Sequence, residues 1–222
     1  MPEENRIINV RGIGHAVQAP DKVVLSLTLT AQNKEYAAAL KVGSQQIEML
    51  RESVVAVGFN AEDIKTVNFD VRTIYEDEEY RSGNTKRYRS AFVGFECRHN
   101  LQLAFDFDNE KLNAATNAIA NCLSQPKISI AFTVKDIAAF NDKILESAAH
   151  DARRKAEILC VASGVKLGKL IRISYPCDEE INRREVVFAN QEVLGCSTDT
   201  AFDFQPEDVK ADAAVDFIWE IV

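Results

Sequence analysis

The stretch "INVRGIGHAVQAPDKVVLSLTL", residues 8–29, sets the fold class. Ile8, Val10 and Gly12 alternate with Asn9, Arg11 and Ile13, and Val23, Leu25, Leu27 and Leu29 alternate with Val24, Ser26, Thr28 and Thr30. A period of two with many β-branched residues belongs to a half-buried strand, and Ala19-Pro20-Asp21 supplies turn chemistry between the two runs. The stretch therefore reads as an opening β-hairpin.

Beyond it the period lengthens. Tyr36, Leu40, Gly43, Ile47, Leu50, Val54 and Val57 recur at three and four, which gives one apolar stripe along a helix of about six turns. Asn33 is the expected N-cap, with Glu35 near the positive helix end, and Gly58 the left-handed terminator. Strands over 63–75 and 88–105 follow, closed into a long hairpin through Ser82-Gly83-Asn84. The second places Ala91, Val93, Phe95, Cys97, His99, Leu101 and Leu103 on one face. His99 is thus expected to be a hydrogen-bonded core histidine without catalytic work.

A shorter helix is expected over 109–123, then a strand with Ile128, Ile130, Phe132 and Val134 on one side. After Asp136, a good N-cap, the second long helix carries Ile137, Phe140, Ile144, Ala148, Ala152, Ala156 and Leu159. Its three alanines let another backbone come close. The helix ends at Gly164 and passes into a strand over 170–175. A last strand, in which Ala211, Ala213, Val215, Phe217, Trp219 and Ile221 alternate with Asp212, Asp216 and Glu220, is expected to pair with that one as a hairpin. Between them, 177–206 has little periodicity apart from Glu185-Val186-Val187-Phe188 and reads as disorder or an interaction arm.

These elements give an α+β chain: two antiparallel sheets, each covered by helices, with two long amphipathic helices. If the first and last hairpins complete one sheet, residues 1–58 and 137–222 form a discontinuous outer subdomain. Residues 59–136 are then an inserted one, and 177–206 a long loop or arm.

The chemistry is sparse. Gly164-Val165-Lys166-Leu167-Gly168-Lys169 looks like a phosphate loop, but its glycine spacing is one residue short, Leu170 replaces the hydroxyl, and the helix comes first. A helix C-terminus attracts cations, so the fragment is a cap and a turn. His150, Asp151 and Glu157 sit on the second long helix at spacings that build no compact acid/base pair. No nucleophile elbow, zinc-protease motif or paired-carboxylate strand end occurs. The sequence offers no catalytic, cofactor-binding or metal residues, and an enzyme is not expected.

Composition narrows the partners. Among 222 residues, 34 acidic against 26 basic side chains leave a formal charge of −8, which repels phosphate backbones and anionic lipid surfaces. Nucleic acid is not an expected partner. The basic clusters Lys86-Arg87 with Arg89, beside the acidic run Glu76-Asp77-Glu78-Glu79, and Arg153-Arg154-Lys155 read as solvated faces or intramolecular pairs. Five cysteines at 97, 122, 160, 177 and 196 form no C-x-x-C pair and suit a reducing compartment. Cys177 and Cys196, in the arm, raise thiol redox sensing as an idea, with inert thiols the expectation. Neither a signal peptide nor a run of about 18 apolar residues is visible, so no membrane insertion and a cytoplasmic location are expected, with a periplasmic one if a signal segment has been removed.

Four stretches together resemble the SIMPL-domain family: residues 8–29 quoted above, "GFNAEDIKTVNFDVRTIY" at 58–75, "YRSAFVGFECRHNLQL" at 88–103, and "AAHDARRKAEILCVASGVKLGKLIRISYP" at 148–176. The resemblance implies an α+β fold, large ring-like homo-oligomers and links to stress tolerance in bacterial members, and an adaptor role in kinase signalling in animals. It brings no catalytic residues. The resulting expectation is a non-enzymatic, self-associating assembly or scaffold protein, with a small-ligand, peptide-binding or adaptor module as the alternative; self-association is the expected partnership, and another protein the second option.

Overall fold

The computed structural model describes residues 6–82, 85–175, 191–192 and 203–222. In chain order its elements are β1 (Ile7–Gln18), β2 (Lys22–Asn33), α1 (Tyr36–Val55), a 3-10 turn (Ala61–Asp63), β3 (Ile64–Ser82) and β4 (Thr85–Asp106). There follow α2 (Asn109–Ala120), β5 (Lys127–Thr133), α3 (Ile137–Ala162), β6 (Leu167–Ser174), β7 (Gln191–Glu192) and β8 (Val209–Ile221). Two antiparallel sheets and three helices make the α+β class expected from the periodicities.

The chain divides into two units, one of residues 1–21, 132–188 and 206–222, the other of 22–131 and 189–205. In the first unit a three-stranded sheet has the order β1-β8-β6. β8 pairs antiparallel with both neighbours, from Ile7 opposite Glu220 to Gln18 opposite Val209 on one side and from Leu167 opposite Ile221 to Ser174 opposite Asp216 on the other. The inward residues Val10, Val215, Phe217 and Trp219 meet Ala148, Ala152 and Ala156 of α3, and Ala16, Val209 and Ala213 meet Phe140 and Ile144.

Glycines set how closely α3 lies on β1. A methyl at Gly12 would land on the Ala148 carbonyl oxygen, and one at Gly14 on the Ile144 carbonyl oxygen. Strand and helix backbones therefore touch, which only residues without a Cβ allow. The alanine stripe expected to receive another backbone receives β1 of the same chain. Asp136 caps α3 by accepting a bond from the Ala139 N–H at 2.8 Å, and Gly164, at φ +71°, ends it.

In the second unit the sheet order is β3-β4-β2-β5-β7. Leu25, Leu27, Leu29, Leu101 and Leu103 supply fully buried side chains, and Ala39 of α1 packs with Ala31 and Cys97. Asp108 caps α2 through the N–H groups of Glu110 and Lys111. Gly58, at φ +95°, terminates α1 and donates to the Val55 carbonyl at 3.0 Å. The expected cap Asn33 is instead the last residue of β2, where its side-chain oxygen accepts from the Glu35 N–H at 3.0 Å.

The opening hairpin is where the structure departs most from the sequence reading. β1 and β2 are not partners: β1 pairs with β8, and β2 with β4 from Lys22 opposite Asp106 to Asn33 opposite Phe95. Asp21, read as hairpin turn, donates its N–H to the Thr133 carbonyl at 3.1 Å and accepts the Lys135 N–H at 2.7 Å. Alternation specifies which face of a strand is buried and leaves its neighbour open, so two adjacent strands can each find a distant partner. The unit boundaries fall accordingly at 21/22 and 131/132, where the sequence suggested 58/59 and 136/137, and α1 belongs to the second unit.

The expected pairing of the last strand with the one after α3 is present as β6 with β8. Most of the expected arm at 177–206, including Cys177, Cys196 and Glu185-Val186-Val187-Phe188, lies outside the described residues. Gln191 and Glu192 pair with Ile130 and Ser129 of β5.

Candidate functional site

The helix α3 tests the one catalytic constellation that the sequence offered. Asp151 accepts the Ile13 N–H at 2.9 Å, the Arg154 guanidinium at 2.9 Å and the Lys155 ammonium at 2.6 Å. These donors, the backbone N–H first among them, hold its carboxyl far below the usual range. Such a group neither takes up nor gives a proton near neutrality. Glu157 pairs with Arg153 at 3.0 Å, and His150 is exposed. The cluster Arg153-Arg154-Lys155 is therefore occupied by intramolecular pairs, as expected.

The bond to Ile13 belongs to a larger arrangement. Ser147 Oγ accepts the His15 N–H at 3.2 Å, and Lys155 Nζ donates to the Arg11 carbonyl at 3.3 Å. Three backbone groups along the side of β1 facing away from β8 are thus satisfied by side chains of α3. The close approach at Gly12 and Gly14 brings the short side chains of Asp151 and Ser147 within reach. An edge strand normally offers such groups to another chain; here the helix covers them.

The phosphate-loop look-alike is a hinge. Lys166 exchanges backbone hydrogen bonds with Val222, and a methyl at Gly168 would meet Glu220 at 3.0 Å. These glycines allow one turn and one close backbone approach. Among the described residues no group of three or more His, Cys, Asp or Glu is placed to hold a metal ion. No helix among them is long and apolar enough to cross a membrane. Cys97, Cys122 and Cys160 are free and buried, and burial, with the charge of Asp70, pushes the Cys97 thiol up.

Two polar features lie on β4. His99 packs against Phe69 with ring centroids 4.3 Å apart and planes tilted by 39°, but its buried Nδ1 has no hydrogen-bond partner among the described residues, contrary to the expectation of a bonded core histidine. Burial, then the charge of Arg51, lowers its proton affinity, so a neutral ring tolerates the site. Glu96, 6% exposed, is a centre that the sequence reading missed. Gln32 Nε2 donates to it at 2.9 Å, Arg72 reaches it at 2.7 Å and Arg98 at 3.0 Å. These bonds, led by that of Gln32, lower its proton affinity against the opposing effect of burial. The legible signal was Glu96 and Arg98, two apart and so on one strand face; Gln32 and Arg72 arrive only through pairing. This cross-strand row pairs its own charges, although the buried Arg98 Nε has no hydrogen-bond partner among the described residues.

The β3–β4 hairpin is different. β2 accompanies β4 only as far as Asn33 opposite Phe95, whereas β3 and β4 continue together to Ser82 opposite Thr85. Beyond Phe95 the pair runs on as a two-stranded ribbon, with a register shift between Ile74 and Tyr75 where it leaves the sheet. Tyr75 is 57% exposed, Tyr88 66% and Phe92 50%. Tyr75, Phe92, Phe95 and Tyr36 form a chain of edge-to-face rings with centroids 5.4–5.9 Å apart.

Charge on the ribbon is sorted by strand. Glu76, Asp77, Glu78 and Glu79 lie on β3, and Lys86, Arg87 and Arg89 on β4. Glu78 pairs with Arg89 at 2.7 Å and Glu79 with Lys86 at 2.9 Å, so the intramolecular pairing expected for this cluster is partly realised. Glu76, Asp77 and Arg87 form no ion pair with a described residue.

Residues 8–219 match the family model of SIMPL, described as a protein of unknown function (DUF541). No curated protein matches the chain.

Proposed function

The chain belongs to the SIMPL family, and on that premise we propose that it is a non-enzymatic protein that acts by assembling with copies of itself as a scaffold. The observation that carries this reading is the ribbon, whose described side chains at 75–79 and 86–92 are largely exposed and include Tyr75, Tyr88 and Phe92. A two-stranded hairpin alone is marginally stable in water, and exposed aromatic surface on this scale usually marks a contact. The alanine face of α3, which also suggested self-association in the sequence, is filled by β1 and adds no support. The link to stress response comes with the family resemblance. The absence of catalysis is supported by Asp151 and Glu157 being tied up in structural bonds.

Light scattering on a size-exclusion column over a wide concentration range tests this reading. A discrete oligomer that persists on dilution is expected, and a monomer at every concentration overturns it.

A second reading, a peptide-binding adaptor, is favoured by β6. This strand lies at the edge of its sheet and exposes Leu170, Ile171 and Ile173 beside Lys169 and Arg172. An extended peptide could add to such an edge. Saturable binding of acidic extended peptides by a protein that stays monomeric would move this reading ahead of the first.

A further inference from the structure

We propose that the two edges of the β3–β4 ribbon are the two halves of one interface, the acidic β3 edge of one copy pairing with the basic β4 edge of the next. The inference rests on the self-assembly reading and specifies its contact. β3 is the outermost strand of its sheet, and β4 has no partner other than β3 along 85–94 among the described residues. Both edges of the ribbon therefore present backbone donors and acceptors to any strand that fits.

Charge decides which strand fits. Pairing two β3 edges would set Glu76, Asp77, Glu78 and Glu79 against their own kind, and pairing two β4 edges would do the same with Lys86, Arg87 and Arg89. Like charges opposite each other across strands are destabilising and opposite charges stabilising. The favoured contact is β3 on β4. Ribbons lying side by side in the same direction place β4 antiparallel to the next copy's β3, the same relation that β3 and β4 have within each ribbon. Glu76, Asp77 and Arg87, which form no ion pair with another described residue, gain partners there. Tyr75, Tyr88 and Phe92 gain lateral neighbours, which a ribbon of two strands lacks.

Because each copy uses a different edge on either side, the contact is heterologous. It closes as a ring if the rotation allows and otherwise continues as a filament. The occupant of this surface is thus a second copy of the chain.

The test uses two full-length variants and their mixture, followed by light scattering against concentration and by circular dichroism. Glu76→Lys with Asp77→Lys removes the net acidity of β3 and sets two lysines against the basic β4 of the next copy; Lys86→Glu with Arg87→Glu leaves β3 acidic and makes β4 net acidic. Each variant alone is expected to need at least about tenfold more protein to assemble, as like-charge opposition demands. Mixing the two, or placing all four substitutions in one chain, is expected to restore assembly, which a merely misfolded variant cannot do. Wild-type protein that assembles while both variants assemble equally well overturns the edge contact and leaves self-assembly standing. Weakened variants that fail to rescue each other also overturn it. A wild type that is monomeric throughout removes the assembly reading and this contact with it.

Discussion

The β1 edge of the first sheet and the β3–β4 ribbon of the second present unpaired strand backbone, and the chain treats them in opposite ways. Along β1, α3 comes so close over Gly12 and Gly14 that Asp151, Ser147 and Lys155 bond the backbone at Ile13, His15 and Arg11. Along the ribbon no described element covers either edge, aromatic rings face solvent, and the charges are divided between the two strands. A covered edge is a device for remaining alone. An uncovered edge with sorted charge is suited to a partner of its own kind.

The largest expected effect comes from opening the covered edge. Gly12→Val would drive side-chain carbon into the Ala148 carbonyl and push α3 off β1. A loss of about 3 kcal/mol is expected from overpacking of this kind, read from the urea midpoint at constant slope. Gly58→Ala, where nothing lies within 4 Å and only φ +95° opposes a side chain, should cost only about 1 kcal/mol. Equal losses at the two sites would contradict the close approach assigned to β1.

On the uncovered side, Phe92→Ala is expected to weaken association about tenfold, in line with loss of an aromatic interface residue. Its effect on the isolated chain should be about 1 kcal/mol or less, because the ring is already half exposed. A concentration series by light scattering, beside a denaturation curve, separates the two numbers.

A subtler contrast lies in pH. Asp151 titrates below its unfolded value, so its contribution is fully present above about pH 4, the ordinary aspartate range, and is lost as pH falls through that range toward the folded value. Stability should therefore decline on acidification. Asp151→Asn should lower stability at pH 7 and flatten the acid limb. Glu96 and Asp216 are shifted in the same direction, so a residual slope is expected. An unaltered acid limb in the variant would show that the β1 edge does not depend on this carboxylate.

The smallest effect should come from salt. Raising ionic strength screens the exposed ribbon charges and should loosen association modestly, while the urea midpoint of the monomer barely moves.

How much of this could be read from the sequence follows from the range of each interaction. Asp136, Gly58 and Gly164 act within one turn of their helices, and each was legible as a cap or terminator. The β6–β8 pairing was expected because the two strands follow one another in the chain, either side of 177–206. The partners of β1 and β2 were not legible, because Ile7–Gln18 meets a strand some two hundred residues away and alternation carries no address. Gly12 and Gly14 looked like ordinary strand positions until the Ala148 and Ile144 carbonyls were seen against them. The acidic and basic runs of the ribbon were visible as charge, but that they lie beyond the reach of β2 depends on where β2 stops, at Asn33.

Amide hydrogen exchange at high and low protein concentration tests the central contrast most directly. Amides of 75–80 and 86–93 should be slow in concentrated solution and fast on dilution, while those of Ile13 and His15 stay slow in both. Ribbon amides that exchange at the same rate at both concentrations, or β1 amides that become fast on dilution, would contradict the account.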